Sequence, residues 1–393
     1  DGTEPRENLG VASLFNRHAE CTDCHNQHRA LKNALFNGTG PQTATHAHAA
    51  GHTNLASGAL AGTWGVEPIY GLSEFFDLPT SYDVKQGVGV SADVNAPHVT
   101  REYQVCLKCH SDYGYDDNGV YPVGTRPNLG DSRGGTPATT NNMLQYTNQA
   151  MEFQAPLGDQ GAPGANHRSW HPVIEPTGRT LAIRNMGTGA FLAPWTNDVG
   201  TQTMYCSDCH GSNTAATTVV PTGGRPWGPH GSENNFILKG PWSVTTGGTP
   251  GAVDTLCFRC HDAGDYTGTN RGGGTSGFSD GQDNLHTLHS ERLDRIRCNW
   301  CHVAVPHGWK NKALLVNLND VGPEAGLAGT EVPIGSAGQT YNVGPYYMNA
   351  KLKIRTFATS GNWAEGNCGS NGTIPGQGGV GRDWMRNVCE VPP

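Results

Sequence analysis

Cys206-Ser-Asp-Cys209-His210 is one of five copies of the pentapeptide Cys-x-x-Cys-His in this chain of 393 residues. With two cysteines in each copy, the five copies use ten of the twelve cysteines. Such regular repetition is not accidental, and it indicates one chemistry carried out five times. The five copies are Cys21-Thr-Asp-Cys24-His25, Cys106-Leu-Lys-Cys109-His110, Cys206-Ser-Asp-Cys209-His210, Cys257-Phe-Arg-Cys260-His261 and Cys298-Asn-Trp-Cys301-His302.

This pentapeptide is the attachment signature of c-type haem. Two thiols three residues apart can form thioethers with the two vinyl groups of one porphyrin, and the adjoining histidine becomes the proximal ligand of the iron. The motifs therefore predict five haem c groups, attached by the ten motif cysteines and ligated by His25, His110, His210, His261 and His302. Structural zinc and plain disulfides are the alternatives, but zinc usually takes two cysteine pairs per ion. Five pairs do not divide evenly, and zinc does not require a histidine after each pair.

The composition predicts an irregular fold. Apolar residues make up 35% of the chain, and 55 glycines and 25 prolines together make up about a fifth of it. Such a chain cannot fill an ordinary core with side chains, whereas large apolar porphyrins could fill it. We therefore expect mostly coil with short helices and a few short β-strands, wrapped around a haem stack. Each motif is expected to begin a helical turn or two, and removal of haem should leave a largely unfolded polypeptide.

More local patterns predict individual elements. Residues 111–165 have the composition of a wrapping loop, and residues 179–195 resemble a short hairpin. Residues 311–318 and 351–357 are predicted strands of a haem-free C-terminal segment, 311–393, which follows a haem-binding region, 1–310. The formal charge of −8, without a basic patch, gives no indication of nucleic acid. No apolar run approaches the ~20 residues that span a bilayer.

The sixth ligand of each iron decides between electron transfer and catalysis. A haem with histidine on both faces only passes electrons, whereas an open face can bind a substrate. Seventeen histidines less five proximal ones leave twelve, enough for five bis-histidinyl haems. Met143, Met151 and Met204 are possible but unsupported alternatives, and the cluster His46, His48 and His52 could supply one ligand or none. The favoured distal candidates are His18, His28, His171, His230, His289 and His307.

Their positions give the reasons for this choice. His28 follows His25 by three residues and lies on the same side of a helical turn, so it should serve a haem other than its own. His171 and His230 lie on turns fixed by proline and glycine. His286 and His289 are one helical turn apart before the last motif, and one of them is expected to ligate while the other packs.

The stretch Arg17-His-Ala-Glu-Cys-Thr-Asp-Cys-His-Asn-Gln-His28 resembles the start of the extracellular filament-forming multihaem cytochromes, the "cytochrome nanowires". In that family the first motif reads Cys-x-x-Cys-His-x-x-His, and its last histidine coordinates a haem of the neighbouring subunit. The resemblance is close over about the first thirty residues. It implies loop-dominated folding, bis-histidinyl haems in a continuous stack, and His28 as a ligand between subunits. The chain departs from some members by continuing for about 90 residues after His302.

The resemblance to c-type cytochromes also implies haem attachment outside the cytoplasmic membrane. An extracellular or cell-surface location is expected, with the periplasm as the alternative, and the sequence reads as a mature, exported chain. In that oxidising compartment Cys368 and Cys389 could form a disulfide, worth on the order of 3 kcal/mol for a loop of this size. Two free thiols are the alternative.

These patterns predict long-range electron transfer by a subunit of an extracellular homopolymeric filament. Redox proteins or extracellular acceptors would be its other partners, and no catalytic residue is predicted. The alternatives are a soluble multihaem carrier, in which His28 is satisfied within its own chain, and a multihaem reductase with one open haem. Pentahaem nitrite reductases attach their catalytic haem through Cys-x-x-Cys-Lys, whereas all five motifs here end in histidine.

Overall fold

The structure is a computed structural model. It describes residues 19–31, 46, 48, 54–71, 77–116, 147–155, 169–182, 184, 186–196, 198–242, 253–267, 276–278, 284–293, 298, 302, 304–309 and 312–314.

The described residues are mostly coil, turns and bends, which confirms the predicted irregular fold. The α-helices are α1 (Cys21–Cys24), α2 (Glu102–Leu107), α3 (Gln149–Glu152), α4 (Ala263–Thr267) and α5 (Leu285–Leu293). The strands are β1 (Gly65–Ile69), β2 (Ser81–Lys85), β3 (Ser169–Trp170) and β4 (Gly308–Trp309). Short 3-10 turns cover Gly58–Leu60, Cys206–Asp208, Thr222–Gly224, Asn235–Ile237, Leu256–Arg259 and Lys312–Leu314. Within the described ranges, no helix has both the length and the apolarity needed to cross a membrane.

A hairpin of β1 and β2 supports the second motif. The two strands are antiparallel, with Gly65 opposite Lys85 and Ile69 opposite Ser81. Helix α2, which carries Cys106, packs on β1. The contact is close because Gly65 has no side chain: a Cβ there would lie 2.5 Å from the backbone oxygen of Gln104.

A two-residue ribbon joins distant parts of the chain. In β3 and β4, Ser169 pairs with Trp309 and Trp170 pairs with Gly308. The backbone N–H of His171 donates to the carbonyl of His307 at 2.8 Å, so these two candidate ligands lie opposite each other at one end of the ribbon.

Apolar side chains form two clusters that border the motif cysteines. The larger cluster includes Val66, Tyr103, Phe153, Trp195 and Met204, and Cys206 and Cys260 pack against it. The smaller cluster consists of Ala56, Val99 and Val105, with Cys24 at its edge. These three motif thiols therefore lie where the apolar interior meets the coil.

Three local predictions were wrong in the described residues. The hairpin predicted over 179–195 does not form, because Met186 bridges to Ser276 and Phe191 bridges to His261 instead of to each other. Lys312–Leu314 form a 3-10 turn where a strand was predicted, and α3 lies inside the predicted loop 111–165. The predicted strand 351–357, most of 311–318 and both Cys368 and Cys389 lie outside the described residues.

Buried Glu67 on β1 should make stability depend on pH. It accepts hydrogen bonds from Gln104 Nε2 at 2.7 Å and from the Tyr103 hydroxyl at 3.0 Å. Burial nevertheless raises the pKa of Glu67 to about 7. The folded state then binds this proton more tightly than the unfolded chain, in which the pKa is about 4.5. Protonated Glu67 therefore stabilises the folded state by up to about 3 kcal/mol. This stabilisation is fully present below pH ~4.5 and is lost as the pH rises through about 7.

Replacing Glu67 with glutamine should remove this contribution. The prediction concerns the difference in unfolding free energy between wild type and Glu67→Gln, measured by thermal melts from pH 4.5 to 8. As the pH rises across this interval, the wild type should lose stability relative to Glu67→Gln, because only the wild type must expose or ionise the carboxyl. A pH-independent difference would show that Glu67 does not titrate there.

Candidate functional site

All five motifs share one backbone hydrogen bond. In each one the N–H of the motif histidine donates to the carbonyl of the first motif cysteine, at 2.8 to 3.0 Å. In the first and third motifs the aspartate before the second cysteine also closes the turn. Asp23 accepts from the N–H of Glu20, and Asp208 accepts from the N–H of Tyr205, both at 2.8 Å. The predicted helical turn is confirmed in the first four motifs, although in the second motif Cys106 lies near the end of α2 rather than at its start. Residues 299–301 of the last motif lie outside the described residues.

Motifs that are consecutive in the sequence are also neighbours in space. A hydrogen bond with Cys106 raises the pKa of Cys206, and a hydrogen bond with Cys298 raises that of Cys257. Burial, followed by the charge of Cys106, raises the pKa of Cys24 to about 11.

The third and fourth motifs are linked in the same way. Burial, and then the charge of Cys209, raise the pKa of Cys260. With the contacts above, the five motifs form one continuous series in chain order.

The variable residues inside the motifs hold this series together. The ammonium group of Lys108, in the second motif, donates to the carbonyl of Asp23 in the first. The backbone N–H of Ser207, in the third motif, donates to Glu102 on α2 at 2.9 Å, and its hydroxyl donates to the same carboxylate. Arg259, in the fourth motif, donates to Thr214, just after the third motif, at 3.1 Å. These contacts were not predicted, because the two variable positions differ from motif to motif.

Three motif histidines are oriented by backbone carbonyls at Nδ1. His25 donates to the carbonyl of Ala59 at 2.8 Å, His210 to that of Phe236 at 2.7 Å, and His302 to that of Ala313 at 2.5 Å. A hydrogen bond at Nδ1 fixes the ring and selects Nε2 as the nitrogen for a metal. The partner of His302 lies beyond residue 310, so the last motif uses the beginning of the predicted C-terminal segment.

Three pairs of a motif histidine and another histidine have ring centres at a common separation, and the ring centres of His46 and His48, both outside the motifs, are 6.1 Å apart as well. The ring centres of His25 and His230 are 5.9 Å apart, with the planes inclined by 30°. Those of His210 and His307 are 6.2 Å apart, inclined by 45°. Those of His286 and His302 are 6.2 Å apart, inclined by 33°. Each of these three pairs joins one motif histidine to one histidine outside the motifs.

This separation fits one metal ion between two imidazoles. A metal–imidazole bond is about 2.0 Å long and a ring nitrogen lies about 1.1 Å from the ring centre, so two ligands on opposite faces put the ring centres roughly 6 Å apart. Among the described residues no three His, Cys, Asp or Glu side chains converge on a possible metal position. Haem iron needs only two axial ligands from the protein, so the histidine pairs fit this group, while a bare metal ion would have too few ligands in them.

Burial keeps several of these histidines neutral, which is the form that binds a metal. It lowers the pKa of His171 and of His210 to about 4 and that of His261 to about 3. After burial, the charge of His171 is the next cause that lowers the pKa of His261, so these two rings are close. His307 lies near enough to His110 for their charges to interact as well.

The predicted distal candidates have different outcomes. His230 and His307 lie opposite motif histidines, and His171 lies near His261. His28 is exposed and faces none of the described motif histidines, while His18 lies outside the described residues. His289 lies on α5, where its side chain is not described, and His286 on the same helix lies opposite His302.

Two further described histidines, His46 and His48, bind carboxylates. His46 Nε2 lies 3.2 Å from Glu102, and His48 Nε2 lies 2.7 Å from Asp208. Both rings pack against Trp227, at 4.5 and 5.3 Å between ring centres. They belong to the buried polar contacts that join the second and third motifs. Cys301, which completes the last motif, lies outside the described residues.

No family model, curated protein or solved structure matches this chain.

Proposed function

We propose that this chain binds five haem c groups through its ten motif cysteines and transfers electrons. The observation that carries the proposal is the set of three histidine pairs with ring centres 5.9 to 6.2 Å apart, each including one motif histidine. When bound, haem supplies reversible one-electron chemistry at its iron. The residues of the chain set the position, the axial ligation and the surroundings of each group.

The axial pairs support electron transfer rather than catalysis. A histidine on each face leaves no coordination position for a substrate. With haem bound, His230, His307 and His286 would hold the faces opposite His25, His210 and His302, and His171 is the best candidate opposite His261. The close contacts between successive motifs support a single path through the chain, in the order of the sequence.

We also propose that copies of the chain assemble through the surface around His28. This surface, the His28 face, consists of His28, Leu31, Trp64, Val84 and Val88. Trp64 and Val84 line a pocket of about 620 Å³ together with His25 and His28. Val88 is 56% exposed, and its Cγ1 lies at Gly62, which borders the same pocket. Exposed apolar side chains in one region typically mark a protein interface.

A second copy is the occupant proposed for the His28 face. An exposed histidine can ligate a haem of another molecule, and another copy of this chain carries haems. The resemblance to filament cytochromes favours the same partner. Soluble redox proteins or extracellular acceptors would then meet the assembled filament outside the cytoplasmic membrane.

The proposed function is tested on the natively purified wild type. Intact mass and the pyridine haemochrome assay should give five haems per chain, and electron paramagnetic resonance should show low-spin ferric haem only. A chain without haem would refute the proposal. A stoichiometric high-spin signal would instead favour a reductase with one open haem.

The pairing of His25 with His230 makes a separate prediction. In His230→Ala one haem should lose its sixth ligand, so one fifth of the iron should become high-spin while the haem count stays at five. His98→Asn is the matched control, because His98 is a buried histidine whose Nε2 faces the carbonyl of Ser91 at 3.2 Å, away from the pairs. If His230→Ala stays fully low-spin, the ligand opposite His25 is another residue.

A further inference from the structure

Buried carboxylate Glu152 lies behind one of the paired histidines. His307 Nδ1 donates to Glu152 Oε2 at 2.5 Å, and the Glu152 side chain has no exposure to solvent. Phe153 packs on the same imidazole, with ring centres 4.8 Å apart. The carboxylate therefore reaches His307 in a dry environment, in which its charge is weakly screened.

This arrangement differs from those of the other histidines. Among the Nδ1 atoms whose partners are described, those of His25, His171, His210 and His302 face backbone carbonyls. Those of His261 and His286 face the hydroxyls of Tyr266 and Ser276. Only His307 in this group faces a carboxylate.

The backbone holds Glu152 in this place. Strand β4 begins directly after His307, at Gly308, where a Cβ would lie 1.8 Å from the backbone oxygen of Glu152. Helix α3, which carries Glu152, is tied to the second motif, because Gln149 N–H donates to the carbonyl of His110 at 3.0 Å. The hydroxyl of Thr147 donates to the same carboxylate oxygen, at 3.2 Å.

We infer that Glu152 is a positioning residue that lowers the reduction potential of the haem ligated by His210 and His307. The inference rests on the proposed function. A carboxylate that accepts from Nδ1 draws the proton towards itself and makes the imidazole a stronger ligand. The added negative charge favours ferric over ferrous iron, and hydrogen bonding to an axial ligand is one of the means by which a protein sets a haem potential. The electron series would then have one low-potential member in its middle.

The test is a redox titration of the purified holoprotein, with Glu152→Gln compared with wild type. Glutamine keeps the shape and can still accept from Nδ1, but it removes the charge. For one of the five one-electron steps, the equilibrium constant for reduction should rise at least tenfold. This corresponds to a reduction potential that is 59 mV higher. The haem count should remain five, and the g-values of one low-spin species should change in the electron paramagnetic resonance spectrum.

Glu67→Gln is the matched control when both variants are titrated above pH 7, where Glu67 is ionised, since it removes another buried carboxylate that contacts no candidate ligand. If Glu152→Gln shifts the steps no more than Glu67→Gln does, the inference is wrong while the proposed function stands. If Glu152→Gln yields no folded protein, Thr147→Val is the second variant. Loss of the Thr147 hydroxyl, which competes for Glu152, should strengthen the contact between Glu152 and His307 and lower the potential of the same reduction step. An unchanged potential would overturn the inference.

Discussion

Produced without haem attachment, the chain is expected to remain largely unfolded. Its apolar fraction is 35%, and the buried side chains include ionisable groups such as Glu67, Lys85, Glu102 and Lys239. Cys24, Cys206 and Cys260 lie at the edges of the two apolar clusters, where attached porphyrins would extend the core. A haem that buries on the order of 500 Å² of apolar surface contributes on the order of 10 kcal/mol, comparable to the whole stability of a typical domain.

The measurement compares exported wild type with a variant in which all ten motif cysteines are alanine. The variant should lose its near-ultraviolet circular dichroism, exchange its amide protons without protection and show no cooperative thermal transition. A variant with alanine only at Cys257 and Cys260 is the graded control, because it should keep four haems and melt at a lower temperature. Cooperative unfolding of the haem-free chain would show that the polypeptide core is sufficient.

The sequence was a good guide to whatever depends on neighbouring residues. The spacing of Cys21, Cys24 and His25 predicts a helical turn, and the same i to i+4 hydrogen bond recurs in all five motifs. The high content of glycine and proline predicts the predominance of coil. Both properties are set within a few residues, so tertiary contacts had little opportunity to change them.

Contacts between distant segments could not be predicted in this way. His230 lies about 200 residues after His25, and no local pattern relates them. The choice between His286 and His289 depends on which side of α5 faces the last motif, and a helix without a clear apolar face does not reveal it. The hairpin predicted over 179–195 failed for a related reason, since Met186 and Phe191 find partners near the fourth motif. Glu152 gave no signal, because its role depends on the packing of β4 against α3.

Replacement of His28 by alanine is expected to abolish filament formation while all five haems remain attached. The backbone of His28 is well held: its N–H donates to the Asn26 side chain at 3.0 Å, and the same side chain donates to the carbonyl of Gly62 at 3.0 Å. The imidazole itself is exposed beside apolar Trp64 and Val88. The backbone at His28 is thus already held in place, so ordering this residue on assembly should cost little additional entropy.

Gln27→Ala provides the matched control, because Gln27 is the exposed neighbour of His28 and lines the same pocket. Negative-stain electron microscopy at physiological salt should show filaments for wild type and Gln27→Ala, and discrete particles for His28→Ala. Val88→Asp should shorten the filaments without changing ligation, because it places a charge within the His28 face.

The spin state of the haem iron then separates the two possible roles of His28. If it ligates a haem of the next copy, dissociated His28→Ala should show one high-spin haem per chain, whereas low-spin particles would mean that His28 contributes contact area alone. Filaments of normal length in His28→Ala would exclude both roles and leave a contact elsewhere on the chain as the basis of assembly.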